Sequence, residues 1–529
     1  MTMSDPLLLG DDYLPEAINS DSVDPNNLTQ IQEFYKDTNI FITGATGFLG
    51  KILLEKLLRS CQHLSTIYIL VRNKKGKKMH TRVDEIFDEV IFDRLKKENS
   101  KFRHKVVGIA GDCSLPNLGI SLEDRQTLIE QVNIVFHVAA TVRFDEKIKT
   151  AVDINVRATQ DMLRLAQEMP KLKSYIHVST AYANCPEKVI EEKLYPPAMD
   201  YRKLIVMTDT LSEKLLENLT PAILENYPNT YAYTKQIAEH VVQDLGKDLP
   251  VGITRPAIVV STAREPVRAW INNMYGATGV VAGAGVGLLR TLHCDKDCNA
   301  NIVPVDMCVN SMISAAWDVN ELFVNAKNNG KRLEIPVFNF ESSNDCPITW
   351  DYFMNMSKAY GMSTPSIRAI WYFCFILEKN FLLYTIYTFL LHTVPAFIVD
   401  AVLVCVGKKP KMFKVYSKIH KFSRVLSYFA TQTWIFKSEN VQRVCRKMSD
   451  RDNEIFFSDL KQLDWEKYLK VYIRGIRVFL VNDPMDSLPA ARIKWRRLYW
   501  AHQITKAVLG FLALRILWTL VFFVYSHIY

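Results

Sequence analysis

The stretch "NIFITGATGFLGKILLEKLLRS", Asn39–Ser60, combines an apolar run, three closely spaced glycines and a leucine-rich pattern. Ile40–Thr43 is predicted to form a short buried strand, and the residues after the glycines have helical spacing. Gly44 would permit a tight turn, Gly47 would let backbone N–H groups approach a pyrophosphate, and Gly50 would let the helix pack closely on the sheet. Because a strand precedes the glycines and a helix follows them, the stretch predicts a dinucleotide-binding turn rather than a plain connection.

The same alternation of apolar runs and helical patterns continues along the chain. Continuous β-branched runs separated by helices are typical of a parallel sheet that is covered on both faces. The pattern therefore predicts an α/β fold with a doubly wound, parallel, Rossmann-type sheet. Strands are predicted at Thr66–Val71, Lys105–Asp112, Asn133–Ala140, Ser174–Thr180 and Val251–Pro256, and helices at Phe48–Ser60, Lys147–Met169 and Tyr231–Leu245.

The composition predicts a globular body with a few membrane-seeking segments. The chain has 529 residues, more than one ordinary core holds, and 49% are hydrophobic while 23% are charged. The net charge of +9 is concentrated in basic patches, most of them beside apolar segments, which favours anionic lipid headgroups over nucleic acid. No zinc-finger spacing or RNP-type aromatic motif is present, so no nucleic-acid partner is predicted. The patches are Lys74–Lys78, Lys408–Lys414, Lys418–Arg424 and Lys494–Arg497.

Cysteine usage and the N-terminal sequence indicate a cytosol-facing protein without a metal centre. The ten cysteines show no paired spacing, and residues 1–30 are acidic and polar, which predicts a disordered tail and no signal peptide. The segment "HCDKDC", His293–Cys298, offers three nearby ligands, whereas a structural zinc site needs four. No metal site is therefore predicted.

The residues after the second predicted strand bear on which dinucleotide is bound. NAD sites usually carry an acidic residue about 20 positions beyond the glycines, which bonds the ribose 2′-hydroxyl. Here that place holds Arg72, followed by Lys74 and Lys75. A carboxylate would repel a 2′-phosphate, whereas an arginine can bind it with two parallel hydrogen bonds, so NADP(H) is favoured. A solvated basic loop is the alternative, above all for Lys77 and Lys78.

A tyrosine, a lysine and two hydroxyl residues form the candidate catalytic set. Tyr231 and Lys235 are four residues apart and so share one face of a helix, whereas Tyr233 faces elsewhere. The lysine ammonium, together with the positive charge of the oxidised nicotinamide, is expected to lower the pKa of the tyrosine, and the lysine is also expected to hold the nicotinamide ribose. Ser179 and Thr180 follow a predicted strand at the sheet edge where ligands bind, and one hydroxyl would bond a substrate carbonyl oxygen.

Together these features resemble the extended short-chain dehydrogenases over roughly residues 39–306, and more narrowly the alcohol-forming fatty acyl-CoA reductases. A later segment, "DWEKYLKVYIRGIRVFLVND" (Asp464–Asp483), resembles the C-terminal module of that second family. The two parts cover most of the chain and are far more specific than any single motif. The other matching segments are "TGATGFLGKILLEKLLRS", "YILVRNKKG", "FHVAATVRFDE", "HVSTAYAN", "YAYTKQIAE", "ITRPAIV" and "EPVRAWINNMYGATG".

The resemblance implies NADPH-dependent reduction of a long-chain fatty acyl-CoA to a primary alcohol and CoA, by two hydride transfers through an aldehyde. It also implies that Tyr231, Lys235 and Thr180, or its neighbour Ser179, are catalytic. The residues implied to hold the cofactor are Thr43, Gly44, Thr46, Gly47, Phe48, Leu49, Gly50, Arg72, Lys75, Asp112, Ala139 and Lys235.

One segment departs from the family pattern, and two other functions stay open. In "EPVRAWINN" the family usually has proline, glycine and aspartate at the places of Arg268, Ala269 and Asn272, in a loop expected to border the acyl-CoA. A membrane-bound sterol or sugar-nucleotide dehydrogenase of the extended class is one alternative, which the C-terminal module disfavours. A non-catalytic NADP(H) sensor is the other, which the retained tyrosine and lysine disfavour.

The C-terminal third is predicted to be mainly helical and membrane-associated. Phe381–Val406 is long enough to span a bilayer, but His392, Pro395 and Asp400 interrupt it, so a surface-embedded helix pair or an acyl-tunnel wall is an equal alternative. Ala507–Tyr525 is predicted to be a tail anchor or part of a membrane-embedded hairpin, in the endoplasmic reticulum or peroxisomal membrane. The predicted units are 31–370 for cofactor and substrate, 371–436 for membrane or acyl binding, 437–486 for the helical reductase module, and 487–529 for a basic linker and anchor.

Overall fold

The computed structural model describes residues 27–72 and 79–528. Most of the predicted tail, 1–30, lies outside these ranges, as do the basic run Lys74–Lys78 and with it Lys75. The strands of the described residues are β1 (Asn39–Thr43), β2 (Thr66–Val71), β3 (Val106–Ala110), β4 (Ile134–His137), β5 (Ser174–Val178), β6 (Val189–Ile190), β7 (Val251–Pro256), β8 (Ile258–Val260), β9 (Thr291–His293), β10 (Ile302–Pro304), β11 (Val337–Phe340), β12 (Ile376–Glu378) and β13 (Ile435–Phe436).

Helices separate these strands along most of the chain. They are α1 (Gln30–Tyr35), α2 (Phe48–Ser60), α3 (Met79–Phe87), α4 (Asp93–Glu98), α5 (Leu122–Gln131), α6 (Ile148–Ala151), α7 (Ala158–Gln167), α8 (Tyr201–Thr210), α9 (Glu213–Leu224), α10 (Thr230–Leu245), α11 (Gly276–Gly285), α12 (Val305–Asn328), α13 (Trp350–Ser363), α14 (Phe381–Thr388), α15 (Val394–Cys405), α16 (Met412–Ala430), α17 (Glu439–Lys447), α18 (Asp450–Ile455), α19 (Trp465–Gly475) and α20 (Leu488–Ile528). Helical π segments at Val152–Arg157 and Phe389–Thr393 join α6 to α7 and α14 to α15.

Seven parallel strands form the central sheet, in the order β11–β7–β5–β4–β1–β2–β3. The chain starts in the middle, winds to one edge through β2 and β3, and then returns to build the other half from β4 onward. This is the doubly wound arrangement, so the predicted fold class is confirmed. The carboxyl end of β1 at the point of reversal is where such sheets bind their ligands. The edge strand β11 was not among the predicted strands.

The sheet is apolar on both faces, which explains the continuous apolar runs in its strands. In β1, Ile40 and Ile42 belong to a core that also contains residues of α2 and α12. Phe41, between them, belongs to the opposite core, which contains residues of α7 and α10. Each face is thus covered by helices, and the glycine turn after β1 is held between the two cores.

A mainly helical layer covers the carboxyl end of the sheet. Helices α11, α13, α16 and α19 share a third apolar core. Two tyrosines of α19 anchor it: the hydroxyl of Tyr468 lies 2.9 Å from that of Ser261, and the hydroxyl of Tyr472 lies 2.9 Å from that of Thr278. Three short parallel pairs, β6–β13, β8–β10 and β9–β12, join segments that are distant in sequence. The C-terminal segments therefore build one wall of the space above the sheet.

The helical segment Phe381–Cys405 uses its polar residues within the protein. The imidazole Nε2 of His392 accepts a hydrogen bond from the backbone nitrogen of Arg290 at 2.9 Å. The carboxylate of Asp400 accepts hydrogen bonds from three backbone N–H groups at the start of α16, at 2.8 to 2.9 Å. Both groups are satisfied, so the remaining exposed surface of this helix is largely apolar.

The last helix, α20, is attached to the body by its first half. The indole nitrogen of Trp371 donates to His502 at 3.1 Å, and from Lys506 onward the side chains of α20 are exposed and mostly apolar. Phe381–Cys405 and Met485–Ile528 are the helices of the described ranges that are long and apolar enough to cross a membrane.

Candidate active site

The glycine turn between β1 and α2 leaves no room for a side chain at two of its glycines. Gly44 has a φ of +77°, and a Cβ there would lie 2.7 Å from the backbone nitrogen of Ala139. A Cβ on Gly50 would lie 2.1 Å from the carbonyl oxygen of Gly44, so this glycine lets α2 close onto the turn. Gly47 is the N-cap of α2 and has no side chain to occupy the first backbone N–H groups. The turn and the uncapped helix terminus fit a dinucleotide pyrophosphate.

A cavity of about 880 Å³ extends from this turn to the helical layer. Its lining combines a glycine-rich end, a central set of polar side chains and a largely apolar end built by the C-terminal half. The first group is Gly44, Thr46, Gly47, Phe48, Leu49, Gly50, Arg72, Asp112 and Ala139; the second includes Ser179, Thr180, Tyr231 and Lys235; the third includes Val280, Leu292, Trp350, Met354, Leu377, Leu426 and Phe429. The structure therefore brings almost all of the predicted site residues to one cavity.

Two predicted cofactor residues are not among those that line the cavity. Thr43 is fully buried, with its hydroxyl 2.8 Å from Nδ1 of His137 and accepting a hydrogen bond from the backbone nitrogen of Ala139 at 3.3 Å. Thr43 thus helps to position the backbone of Ala139, which does line the cavity. Lys75 lies outside the described residues.

Arg72 and Asp112 stand at the ends of β2 and β3, beside the glycine turn. Arg72 is exposed at the edge of the cavity. The carboxylate of Asp112 accepts hydrogen bonds from the backbone nitrogen and the hydroxyl of Ser114, both at 2.9 Å. These bonds fix one carboxylate oxygen and leave the other available to the cavity.

Tyr231, Lys235 and Thr180 meet at the carboxyl end of β5. Lys235 is buried, and its Nζ donates to the carbonyl oxygen of Val178 at 2.7 Å. Thr180 accepts a hydrogen bond from the backbone nitrogen of Tyr182 at 3.3 Å and is also hydrogen-bonded to the side chain of Tyr231. The helix α10 and the strand β5 thus present a hydroxyl pair and an amine to the middle of the cavity.

Burial, and not Lys235, dominates the acidity of Tyr231. Desolvation raises the pKa of Tyr231 to about 12, and the hydrogen bond with Thr180 acts in the opposite direction. Desolvation also lowers the pKa of Lys235 to about 8, against the attraction of Glu239. Burial therefore sets the pKa of Tyr231 in the described structure, and the expected lowering by Lys235 together with the oxidised nicotinamide stays a prediction. Tyr231 is protonated at neutral pH, as a proton donor must be.

A buried network distinguishes Ser179 from Thr180. The hydroxyl of Ser179 donates to Glu239 at 2.6 Å, and Arg255 binds the same carboxylate at 2.8 and 2.6 Å. Asn184 adds a longer contact to it at 3.4 Å. Ser179 is engaged with Glu239, whereas Thr180 is hydrogen-bonded to Tyr231, so Thr180 is the better candidate of the two hydroxyls to contact a substrate. Sequence reasoning missed this network, although a charged residue inside the apolar strand β7 was a signal for it.

A second buried ionic group anchors the loop that follows β8. The carboxylate of Glu265 binds Lys56 of α2, and it lies 3.0 Å from Arg59 and 3.2 Å from Arg94. Asp306, at the start of α12, accepts hydrogen bonds from three backbone N–H groups of the same loop at 2.7 to 3.1 Å. The loop is therefore fixed to the helix that begins at the glycine turn. The sequence analysis did not foresee this anchor.

The three departures from the family pattern lie in this loop and differ in what they touch. Ala269 is buried and has a φ of +60°, a conformation that favours glycine and costs another residue about 1 kcal/mol. A Cβ on Gly475 of α19 would lie 2.1 Å from the carbonyl oxygen of Ala269, so the two backbones are in close contact. Of the three residues, Asn272 lines the cavity, whereas Arg268 and Ala269 do not.

Potential metal ligands are dispersed. Within residues 27–72 and 79–528, no three His, Cys, Asp or Glu side chains are grouped so as to hold a metal ion. His293 of the "HCDKDC" segment is hydrogen-bonded through its two ring nitrogens to Ser427 at 2.5 Å and to the carbonyl oxygen of Lys379 at 2.9 Å.

Comparisons with known proteins agree with this geometry. Two family profiles, both described as male sterility protein, match residues 42–312 and 391–483. Fatty acyl-CoA reductase wat of Drosophila melanogaster is 44% identical over 490 residues, which are 93% of each chain. Fatty acyl-CoA reductase 1 of Mus musculus is 39% identical over 473 residues, covering 88% of this chain and 89% of that relative.

Solved structures support the fold. The terminal R domain of the myxalamid PKS-NRPS pathway superposes with a TM-score of 0.54 at 19% identity, covering 83% of this chain and 90% of its own. The reductase (R) domain of a nonribosomal peptide synthetase from Mycobacterium tuberculosis gives 0.54 at 18% identity, covering 84% and 93%. The sheet, the glycine turn and the cavity define an oxidoreductase of the short-chain dehydrogenase class with a nicotinamide dinucleotide site. The chain belongs to the fatty acyl-CoA reductase family, so the resemblance seen in the sequence is confirmed.

Proposed function

We propose that this protein uses NADPH to reduce long-chain fatty acyl-CoA to a primary fatty alcohol and CoA. The observation that carries the proposal is the cavity itself. Its lining includes a dinucleotide turn, a proton-donating tyrosine and an apolar wall, and the apolar wall comes from the C-terminal half of the chain. A long acyl chain needs such a wall because each buried methylene contributes about 0.8 kcal/mol.

The catalytic step assigned to this chain's residues is hydrogen bonding and proton transfer at the substrate carbonyl oxygen. When bound, NADPH supplies the hydride for each of the two reductions. Thr180 donates a hydrogen bond to the carbonyl oxygen and stabilises the negative charge that develops there. Tyr231 donates its phenolic proton to the same oxygen, and its raised pKa keeps that proton in place until the oxygen becomes strongly basic. Collapse of the hemithioacetal returns its hydroxyl proton to the Tyr231 phenolate and expels CoA as a thiolate, which takes a proton from solvent. The same groups then reduce the resulting aldehyde to the alcohol.

Lys235 and Ser179 have supporting roles in this proposal. The ammonium group of Lys235 is held at Val178, one turn of α10 away from Tyr231, where it can bind the nicotinamide ribose. Ser179 donates a hydrogen bond to Glu239 and so links the end of β5 to α10. The proposal assigns no nucleophilic role to Cys113 or Cys185. Both are buried, and desolvation raises the pKa of both thiols to about 12, which disfavours the reactive thiolate.

Arg72 supports the choice of NADPH over NADH. Its guanidinium stands at the end of β2, where an NAD site usually has a carboxylate, and it is exposed at the cavity edge. A guanidinium can bind the 2′-phosphate with two charge-assisted hydrogen bonds.

Replacing Arg72 by aspartate should weaken NADPH far more than NADH. The variant loses the paired hydrogen bonds and adds repulsion, so the ratio of kcat/KM for NADPH to that for NADH should fall by on the order of 10². Steady-state assays with each cofactor measure the ratio. Arg332→Asp is the control, because Arg332 is exposed and does not line the cavity. An equal loss with both cofactors would assign Arg72 a structural role and move the selectivity to Lys74 or Lys75.

The function itself is tested by product analysis. The full chain is expressed in yeast, and fatty alcohols are profiled by gas chromatography against cells with an empty vector. The purified protein is then given NADPH with palmitoyl-CoA, a hydroxysteroid or a sugar nucleotide. Alcohol formation from palmitoyl-CoA supports the proposal. Turnover of the steroid or sugar nucleotide instead would support the dehydrogenase alternative, and cofactor binding without any turnover would support a sensor.

We also propose that the protein is attached to an intracellular membrane, of the endoplasmic reticulum or the peroxisome, with its body in the cytosol. The exposed apolar part of α20 and the exposed face of Phe381–Cys405 supply the apolar surface, and the basic residues around Lys408–Lys414 and Lys494–Arg497 suit anionic headgroups. Acyl-CoA and NADPH are both available to a cytosolic body, and a fatty alcohol can leave into lipid.

A chain that ends at Lys506 should lose a large part of its membrane attachment. The shortened chain keeps the hydrogen bond between Trp371 and His502. The first half of α20 therefore stays in place while the exposed apolar half is removed. The fraction that stays with membranes after carbonate extraction should fall at least about twofold, with Phe381–Cys405 retaining the remainder. If the full chain washes off as readily as the shortened one, α20 is not an anchor.

A further inference from the structure

Two cavities follow one another along the helix α13. The first is the cavity of about 880 Å³ described above, and the second, of about 60 Å³, is lined mainly by apolar side chains. Trp350 lines the first cavity, Met354 lines both, and Ser357 and Gly361 line the second. These residues have the spacing i, i+4, i+7 and i+11, so they share one face of α13 and extend over about 16 Å along its axis.

The neighbouring helix α11 shows the same succession. Val280 lines the first cavity, whereas Val281 and Ala284 line the second. The second cavity also has Trp495, near the root of α20, in its lining. The two cavities therefore lie in series between the active site and the base of the apolar C-terminal helix.

Met354 is the partition between them. Among the described residues it alone lines both cavities, and it is buried in the third apolar core. The side chain of Met354 is a single unbranched chain, so its truncation would join the two cavities. Apolar side chains surround the partition on both sides, which suits the hydrocarbon end of a ligand and not its polar head.

We propose that Met354 is the chain-length stop of the acyl site and that the second cavity accepts additional methylenes when the stop is removed. This inference rests on the proposed function and adds to it the residue that limits the acyl chain. An acyl group whose carbonyl carbon lies at Tyr231 would extend along the apolar end of the first cavity and finish against Met354. Longer chains would have to displace this side chain.

The test compares chain-length profiles of full-length variants in detergent. Saturated acyl-CoA esters from lauroyl-CoA to lignoceroyl-CoA are assayed for kcat/KM with NADPH. Met354→Ala should shift the preferred ester to a longer chain, and two additional methylenes should raise relative kcat/KM by roughly tenfold. Met354→Val opens the partition less and should give a smaller shift in the same direction, which keeps the test available if the alanine variant does not fold.

Two controls tie the shift to the second cavity. Met354→Leu nearly conserves the volume, so it should give the smallest shift of the three Met354 variants. Ser357→Leu fills the second cavity without breaking a hydrogen bond, since its buried hydroxyl has none in the described structure. Alone it should leave the profile unchanged, and in combination with Met354→Ala it should return the profile to that of the wild type.

The outcomes separate this inference from the proposed function. A wild-type protein that reduces no acyl-CoA of any length removes the proposed function and the inference with it. A wild-type protein that does reduce acyl-CoA, with identical profiles for Met354→Ala, Met354→Val and Met354→Leu, overturns the chain-length stop and leaves the function intact. A shift that persists in the double variant overturns the role of the second cavity.

Discussion

Replacing Tyr231 by phenylalanine should lower fatty alcohol formation by on the order of 10² or more, while NADPH binding is retained. The ring stays in the cavity, but its hydroxyl, which is hydrogen-bonded to Thr180, is removed. The developing oxyanion then loses both a hydrogen-bond donor and its proton source. Product formation is measured by gas chromatography, and cofactor binding by quenching of tryptophan fluorescence.

Tyr233→Phe is the matched control for this prediction. Tyr233 is buried two residues along the same helix, lies outside the cavity lining, and has a hydroxyl without a hydrogen-bond partner in the described structure. The identical chemical change there should leave turnover within about twofold of the wild type. Near-normal turnover of Tyr231→Phe would remove that tyrosine from the proton-transfer step.

The second large effect is on stability: Glu265→Gln should lower the free energy of unfolding by about 3 to 5 kcal/mol at neutral pH. The change keeps the shape of the side chain but removes the carboxylate that the buried cations of Lys56 and Arg59 share, while Arg59 keeps its second partner, Glu55. It also frees the loop that contains Asn272 from the helix that follows the glycine turn. Urea unfolding of the full chain in detergent, followed by tryptophan fluorescence, measures the loss.

The pH dependence of the free energy of unfolding tests the contribution of Glu265 independently. Burial would raise the pKa of Glu265, but Arg59 and Lys56 together lower it to about 2 from an ordinary value of 4.5. A carboxyl whose pKa is lowered on folding contributes stability that is complete above about 4.5 and is lost as the pH falls toward 2. The stability difference between wild type and Glu265→Gln should therefore shrink between pH 4.5 and 2.

An exposed ion pair provides the control for both measurements. Glu213 pairs with Lys147 on the surface, with both side chains more than half exposed. Glu213→Gln should leave the stability close to that of the wild type, because solvent screens such exposed pairs. If Glu265→Gln were no more destabilising than Glu213→Gln, the buried group would not be an anchor.

Much of the sheet could be predicted because its strands are buried on both faces. A strand covered on both sides is mostly apolar along its whole length, so β1, β2, β5 and β7 stand out as short, largely apolar runs in the sequence. The helix α2 has the predicted bounds, since the glycine turn fixes its start and the leucine spacing fixes its face. The residues proposed to be catalytic were predicted from their spacing on α10 and from the end of β5, and the structure brings them to one cavity.

The features that were missed depend on partners that are distant in the chain. The strand β11 is short, and its pairing with β7 is what makes it a strand. Glu239 and Arg255 are ordinary charged residues in the sequence, and they become a buried network only when α10 packs beside β7. The desolvation of Tyr231, which raises its pKa, was not foreseen for the same reason, because desolvation is a property of the folded environment and not of spacing.

The sequence by itself determined the sheet, the dinucleotide turn and the Tyr231–Lys235 pair, because periodicity, glycine spacing and helical repeat are local properties of the chain. The tertiary structure decided the rest. Only packing shows that Ser179 is engaged with Glu239 whereas Thr180 is hydrogen-bonded to Tyr231 in the cavity, and only packing turns His392 and Asp400 toward the protein. Likewise, the apolar wall of the cavity joins α11, α13 and α16, which are far apart in sequence, and Met354 separates two cavities solely because α13 lies against α11. Such contacts arise from desolvation and close packing between distant segments, which no local pattern encodes.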